Sequence, residues 1–234
     1  MIVQRQQDSW LCITQPDHAA LAAHLMRHWQ AGGLPDSPRR EKILWAIAEH
    51  DNGWREVDAS PIIDSAGGAI LDFIGAPLEI RQGVWPRGVQ RLAGTPYSAA
   101  LVANHAVHVF SRFRGHQDWA PFFERMTTLR GEMLEASGVA LEILLADYAF
   151  LRIGDLLSLT FCNQWTDPPG EFACDIRLDG RRLLVSPDPF GGREIHFEIS
   201  ARVLPARALV SPAAAAAAWR AADRTVLTGI ALGH

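Results

Sequence analysis

The stretch Ile43-Leu-Trp-Ala-Ile-Ala-Glu-His-Asp-Asn-Gly-Trp54 decides the fold, because it predicts an apolar helix that ends on an adjacent His50-Asp51 pair. A step of ~100° per residue places His50 on one stripe with Ile43 and Ile47, and Asp51 beside that stripe. Both polar side chains should therefore face the protein interior. A buried imidazole beside a buried carboxylate is unfavourable unless each has a partner, and a shared metal ion is one such partner. A hydrogen-bonded core histidine beside a helix-terminal aspartate is the alternative, and this stretch alone leaves both open.

The composition indicates a globular protein with one large domain, or a main domain with a smaller appendage. The chain has 234 residues, 48% of them hydrophobic, and a net charge of -4 with its lysines and arginines scattered, so we expect no nucleic-acid or anionic-membrane partner. The three cysteines have no metal-ligand or redox spacing. No apolar run approaches the ~20 residues of a membrane span, and no export signal is evident at the N-terminus. We therefore expect a cytoplasmic protein.

The pattern of elements is mainly helical. Residues 1–14 favour a short β-hairpin or an edge pair of strands, and helices are predicted over about 17–30, 39–51, 97–112, 119–137 and 139–163. Residues 55–96 are predicted to form a long loop, whose length is typical of a lid or a binding loop. After residue 165 the pattern changes to strands, beginning with Phe172–Leu178 and a turn at Asp179-Gly180. We predict a helical domain over 1–165 and a small C-terminal antiparallel β subdomain over 166–234.

Four further polar side chains are predicted on the inner faces of helices. His18 shares a face with leucines of the first helix, and His105 and His108 lie three residues apart on one face of a later helix. Asp155 lies in the middle of an apolar stripe on the last long helix. An unpaired carboxylate at such a position would be neutral or strongly destabilising. Each of these residues has a structural explanation by itself, but Asp155 in particular should have a cation or several hydrogen bonds as its partner.

The order of these residues along the chain resembles the HD superfamily of helical metal-dependent phosphohydrolases. In that family a first His, a His-Asp pair and a final Asp hold one divalent metal ion, and additional histidines hold a second ion. The resemblance implies an HD-like helical bundle in which the first metal is bound by His18, His50, Asp51 and Asp155. Asp51 would bridge the two metals at the catalytic centre, and His105 and His108 would bind the second ion. The resemblance is compatible with Fe, Mn or Zn.

A closer resemblance, over nearly the whole chain, is to an uncharacterised bacterial family classed as a domain of unknown function. It is carried by the N-terminal Met-Ile-Val, by Ile13-Thr-Gln-Pro-Asp-His18-Ala, by His50-Asp-Asn-Gly-Trp54, and by Gly154-Asp-Leu-Leu-Ser-Leu159 followed by Cys162. This resemblance is specific as to family but implies no activity.

The leading functional hypothesis is a metal-dependent hydrolase that acts on a phosphate ester or another small anionic substrate. Arg87 and Arg91 are four residues apart and could face one anion together, although solvated helix arginines are the alternative. A di-iron oxygenase would use the same ligands. A non-catalytic metal- or ligand-binding protein is the hypothesis from another class. The expected partner is a small molecule, and a homodimer is compatible with the sequence.

Overall fold

A computed structural model describes residues 1–64, 66, 68–166, 168, 174–206 and 209–234. It is 50% helical and 19% strand, so the helical content predicted from the sequence is confirmed. The helices are α1 (Gln15–Arg27), α2 (Arg40–Glu49), α3 (Leu78–Arg91), α4 (Pro96–Val109), α5 (Ala120–Ser137), α6 (Leu141–Asn163) and α7 (Pro212–Ala221). The strands are β1 (Ile2–Arg5), β2 (Ser9–Ile13), β3 (Asp175–Asp179), β4 (Arg182–Ser186), β5 (Ile195–Pro205) and β6 (Asp223–Gly233). Short 3₁₀-helices cover Asn52–Trp54, Ser111–Phe113 and Gln117–Trp119.

The six strands form one curled mixed sheet in the order β1-β2-β5-β6-β4-β3. Neighbouring strands are antiparallel except β4 and β6, which run parallel. The predicted small C-terminal antiparallel subdomain beside an HD-like helical bundle is therefore wrong, because N-terminal and C-terminal strands share this sheet. The physical reason is the length of β5. Its 11 residues pair along one edge with β6 and, near their C-terminal end, along the other edge with the buried strand β2.

The predicted N-terminal hairpin is present as β1 and β2, but it forms one edge of the large sheet. The predicted strand Phe172–Leu178 begins within residues 169–173, which lie outside the described residues; from Asp175 onward β3 is formed. One hydrophobic cluster includes side chains from the helices and from the sheet. The predicted division into residues 1–165 and 166–234 stays a prediction.

Helix α4 lies at the centre of the helical layer, since every residue from 97 to 107 is buried. It contacts α2, α3, α5 and α6, while α1 packs against α2, α6 and β5. The first turn of α1 is capped by the Thr14 hydroxyl, which accepts a hydrogen bond of 3.1 Å from the Asp17 backbone NH. No helix within the described ranges is long and apolar enough to cross a membrane.

The segment predicted as a long loop, residues 55–96, contains helix α3 in its C-terminal half. Three residues that usually interrupt helices hid it from the sequence pattern: Gly83, Pro86 and Gly88 all lie inside α3. Gly88 is required there by packing, because a Cβ atom at this position would lie 2.9 Å from Asn52 Oδ1. The irregular part of the segment therefore ends at Pro77.

Candidate metal centre

Four side chains predicted as ligands of the first metal meet in the interior. His18 lies in the first half of α1, His50 is the C-terminal cap of α2, Asp51 precedes the 3₁₀-helix Asn52–Trp54, and Asp155 lies in the middle of α6. His18, His50 and Asp51 are at most 5% exposed. The side chain of Asp155 is 17% exposed. The four polar side chains come from α1, α6 and the C-terminal end of α2, and they lie close together in the interior.

Short distances separate the two histidine Nε2 atoms from each other and from one carboxylate oxygen of each aspartate. His18 Nε2 lies 3.1 Å from His50 Nε2, 3.2 Å from Asp51 Oδ2 and 3.4 Å from Asp155 Oδ1. His50 Nε2 lies 3.5 Å from each of the same two carboxylate oxygens. Metal bonds of ~2.0–2.2 Å place tetrahedral ligands roughly 3.3–3.6 Å apart, and neighbouring octahedral ligands roughly 2.8–3.1 Å apart. His18, His50 and Asp51 form one group whose donor atoms all lie within 4.8 Å of one another and could hold a metal ion, whereas Asp155 belongs to a separate group.

Hydrogen bonds behind the two histidines fix the nitrogen atoms that face the centre. His50 Nδ1 lies 2.7 Å from the carbonyl oxygen of Ile47, which can only accept, so this nitrogen carries a proton. His18 Nδ1 lies 2.6 Å from Ser158 Oγ, whose own proton is donated to the Asp155 carbonyl oxygen at 3.0 Å. Ser158 Oγ therefore accepts a hydrogen bond from His18 Nδ1. In the neutral imidazoles both Nε2 atoms are left with lone pairs, which is the arrangement found in metal-ligating histidines.

The electrostatics of the site favour a positive charge between these groups. Burial raises the pKa of Asp51 and of Asp155, but the charges and hydrogen bonds of the neighbouring histidines outweigh burial and lower both values below their usual range. Burial lowers the pKa of His50, but Asp51 and Asp155 outweigh it and raise the value to about 9. Two lone pairs and two carboxylates in one place need a cation, which can be a metal ion or a proton on one imidazole.

His105 joins the centre from α4, whereas His108 does not. His105 Nε2 lies 3.6 Å from Asp155 Oδ2, and its Nδ1 lies 3.0 Å from the Tyr148 hydroxyl. Burial lowers the pKa of His105 to about 4, so the imidazole is neutral near pH 7. Its donor atom forms a second group with His50 and Asp155, in which all three atoms lie within 4.8 Å of one another. His108 is exposed and packs against the Tyr148 ring.

A second layer of buried polar groups holds the ligands in place. Gln15 Nε2 donates to Asp51 Oδ2 at 3.1 Å, and the Gln15 backbone NH donates to Asp58 Oδ2 at 2.6 Å. Asp58 also pairs with the amino group of Met1 at 2.6 Å. Sequence reasoning missed Gln15 and Ser158. The signal that could have found them is their spacing, because each lies three residues from a ligand on the same helix.

Two glycines allow the close approach of the helices that carry the ligands. A Cβ atom at Gly154 would lie 2.8 Å from Met26 Cγ on α1 and 3.2 Å from Ile47 Cγ2 on α2. A Cβ atom at Gly53 would lie 1.9 Å from the Val84 carbonyl oxygen on α3. Gly53 lies two residues after Asp51, in the turn that follows the ligand pair. Its structural role is the contact with α3.

The two arginines predicted to bind substrate are engaged with the turn that follows the ligand pair. Arg87 donates from Nη2 at 2.6 Å and from Nε at 3.1 Å to the Gly53 carbonyl oxygen. Arg91 donates to the Asn52 carbonyl oxygen and forms an ion pair with Glu56. These bonds anchor α3 to the ligand-bearing turn. Substrate binding by Arg87 and Arg91 stays a prediction.

A cavity of about 100 Å³ lies beside the ligands. The described residues that line it are Gln15, His18, Asp51, Trp54, Phe73, Ile74, Arg81, Trp85, His105, Val109, Phe110, Arg112, Asp155 and Leu159. Its ligand end is buried, whereas Ile74 and Val109 are 52% and 40% exposed and mark its outer side. Sequence reasoning also missed Arg81 and Trp85, although their spacing of four residues places them on one face of α3. The cavity thus adjoins three of the four candidate ligands, His18, Asp51 and Asp155.

One protein family matches residues 1–206, and it is described as a protein of unknown function (DUF3891). The chain belongs to this family. The prediction of an uncharacterised family is thus confirmed, and it covers the helices that carry every candidate ligand. No curated protein and no solved structure matches the chain.

Proposed function

We propose that the protein is a metal-dependent hydrolase whose centre is formed by His18, His50, Asp51 and Asp155. The supporting observation is the set of donor distances of 3.1–3.5 Å around His18 Nε2 and His50 Nε2, with both Nδ1 protons directed away from the centre. The order of these ligands along the chain resembles that of the HD phosphohydrolases. Two imidazoles and two carboxylates suit Fe, Mn or Zn.

A divalent ion held by these residues would lower the pKa of a bound water and polarise the bond to be cleaved. Asp51 and Asp155 supply the negative charge that binds such an ion. Gln15 and Ser158 orient Asp51 and His18 through their hydrogen bonds. His105 has its Nε2 beside Asp155 Oδ2, so with His50 and Asp155 it would serve as a ligand of a second ion.

A second candidate function is an iron-dependent oxygenase with the same ligands. It is favoured by the lining of the cavity, which consists largely of apolar and aromatic side chains such as Trp85, Phe110 and Leu159. A lining of this kind excludes water and suits the oxidation of an apolar substrate. The hydrolase remains our proposal, because Arg81 and Arg112 at the cavity favour an anionic substrate.

The test begins with metal analysis of protein purified without chelator, followed by assays of phosphate release from phosphomonoesters and of oxygen uptake. Bound Mn or Zn with phosphate release supports the hydrolase, whereas a redox-active iron pair with oxygen uptake supports the oxygenase. Protein without stoichiometric metal and without turnover would support a binding protein instead.

The decisive variant is Asp51→Asn, which keeps the side-chain volume but removes the charge on which metal binding depends. We expect metal affinity to fall by at least roughly 100-fold. The matched control is Asp147→Asn on α6, a buried carboxylate that bonds Arg39 and Tyr97 instead. The control should lower the free energy of unfolding by about 1–3 kcal/mol and leave the bound metal unchanged. A folded Asp51→Asn protein with unaltered metal content would refute the proposal.

A further inference from the structure

We propose that the cavity beside the metal centre binds a small molecule with three parts in line: a polar reacting group, a flat apolar body and an anionic group. The reacting group faces the ligands, the body lies against Trp85 and Phe110, and the anion lies at Arg81. The proposal rests on the hydrolase function proposed above and names its class of substrate.

The first observation is that four of the five buried side-chain polar atoms without a hydrogen-bond partner among the described residues belong to residues that line this cavity. These four are Gln15 Oε1, Trp54 Nε1, Arg81 Nε and Trp85 Nε1, and the fifth is Asn52 Oδ1. All four residues line this one cavity, and Gln15, Trp54 and Trp85 are at most 5% exposed. A buried donor or acceptor without a partner is destabilising by about 1–3 kcal/mol. A polar ligand or ordered water in the cavity would supply the partners of these atoms.

The second observation is the shape and chemistry of the middle of the cavity. The Trp85 ring makes edge-to-face contacts with the rings of His105 and Phe110, whose centroids lie 5.5 Å and 6.0 Å away. Aromatic faces of this kind bind flat apolar groups. The volume of about 100 Å³ exceeds what one water needs, but it lies well below the roughly 300–1,000 Å³ of pockets that enclose drug-sized ligands. The cavity therefore favours a single ring over a nucleotide.

The third observation is the position of positive charge. Arg81 lies one helical turn from Trp85 on α3, so the distance along the axis is ~6 Å. The Arg81 guanidinium lies 5.6 Å from the Trp119 ring and 6.0 Å from the Phe113 ring, and the Arg112 guanidinium lies 4.8 Å from the Phe113 ring, so both cations pack on one aromatic cluster. Arg112 is exposed. The order along the cavity is thus ligands, aromatic wall and cations, which matches one anionic group at the outer end of the substrate.

The test compares three non-hydrolysable probes by isothermal calorimetry on the protein as purified: methylphosphonate, phenylphosphonate and 4-phosphonobenzoate. Because all three carry the same phosphonate, differences among their dissociation constants report the ring and the carboxylate alone. We expect phenylphosphonate to bind at least about tenfold more tightly than methylphosphonate, since the ring becomes buried. We expect the carboxylate to add about another tenfold through Arg81.

Two pairs of variants test which residues cause the increases in affinity from the ring and from the carboxylate. Arg81→Met should abolish the gain from the carboxylate and keep the gain from the ring, whereas Arg125→Met, at an exposed position on α5, should change neither. Trp85→Phe keeps an aromatic ring but removes the indole NH, so binding of phenylphosphonate should weaken by about fivefold. Trp45→Phe, at a side chain that is 47% exposed on α2, is its control.

Equal affinities for methylphosphonate and phenylphosphonate, or no binding of any probe, would overturn the proposal. A carboxylate gain that survives Arg81→Met would also overturn it. Binding is measured without turnover, so the two proposals fail separately. Selective binding with no hydrolysis would refute only the hydrolase, whereas hydrolysis without selectivity would refute only the substrate class.

Discussion

Replacement of Gly154 by alanine should disturb the metal centre through the packing of helices. The added methyl group would lie 2.8 Å from Met26 Cγ on α1 and 3.2 Å from Ile47 Cγ2 on α2. Carbon atoms in contact are ~3.5–4.0 Å apart, so Met26 would have to move by roughly 0.7–1.2 Å and Ile47 by roughly 0.3–0.8 Å. Asp155 follows Gly154 directly. The displacement therefore separates the ligand on α6 from those on α1 and α2.

The expected loss of stability is moderate, because two effects oppose each other. Overpacking of a core position is destabilising by about 1–3 kcal/mol. Replacement of glycine by alanine inside a helix is stabilising by about 1 kcal/mol. The free energy of unfolding should therefore fall by about 0–2 kcal/mol, which corresponds to a decrease in Tm of at most about 8 °C in a chain of this size. Metal affinity should fall more, by at least about tenfold, because donor separations must hold to within a few tenths of an ångström.

The assay measures metal affinity by chelator competition and Tm by calorimetry, on the same preparations. Gly131→Ala on α5 is the matched control, since a Cβ atom there has no neighbour within 4 Å. It should raise the free energy of unfolding by about 0.4–1 kcal/mol and leave metal affinity unchanged. A Gly154→Ala protein with the metal affinity of the unaltered chain would refute the view that this close contact sets the geometry of the centre.

Three further predictions concern the surroundings of the ligands. Ser158→Ala removes the partner of His18 Nδ1, so metal affinity should fall by about 10–100-fold in a chelator competition while the fold is retained, as judged by circular dichroism. Gly53→Ala places a methyl group 1.9 Å from the Val84 carbonyl oxygen, and calorimetry should show a loss of stability of at least about 3 kcal/mol, larger than for Gly154→Ala. Removal of metal with a chelator should lower Tm, and added metal at 100 times its Kd should restore about 2.7 kcal/mol of stability; an unchanged Tm would contradict binding to the folded state.

The inward histidines and aspartates could be predicted from the sequence, because regular helices carry them. On a helix, spacing fixes the direction of a side chain, so the pattern of apolar residues alone assigns His18, His50 and Asp155 to buried faces. His108 shows the limit of helical periodicity. It lies three residues from His105 and shares part of its face, yet it is exposed at the end of α4. Periodicity alone does not show where the neighbouring helices end.

The sheet could not be predicted to the same extent, because its pairings are distant in sequence. β2 pairs with β5 across 190 to 196 residues, with Ser9 opposite Pro205, and no local pattern encodes such a partner. The parallel pairing of β4 with β6 joins residues 48 positions apart, as Arg182 with Ile230, and is also non-local. A strand pattern near the C-terminus therefore indicates strands without showing that the N-terminal hairpin completes the same sheet.

The spacing of the arginines in the sequence also does not show which of them lines the cavity. Arg87 and Arg91 lie on one face of α3, as predicted, but that face meets the backbone of the turn at Asn52 and Gly53. Arg81 lies on the same helix and reaches the cavity instead. The sequence shows which residues share a face, whereas tertiary packing decides what the face contacts.

Every residue of the His-Asp-Asn-Gly-Trp stretch has a separate physical role. His50 and Asp51 supply donor atoms to the candidate centre. Asn52 donates from its side-chain amide to a backbone carbonyl of α3 at 3.3 Å, and Gly53 admits the backbone of α3 at a distance that a side chain would block. Trp54 lines the cavity. The ligands and the contact surface for α3 are thus consecutive in the chain.

This arrangement links the candidate ligands to the lining of the adjacent cavity. Helix α3 carries Trp85 and Arg81, and its position relative to the ligands is set by the turn that follows them. Hydrogen bonds from Arg87 and Arg91 to the backbone of that turn also stabilise the contact between α3 and the turn. Loss of either arginine should therefore move the aromatic wall and the outer cation relative to the donor atoms. Such a change would weaken selection of the probe ring while the four ligands themselves stay in place.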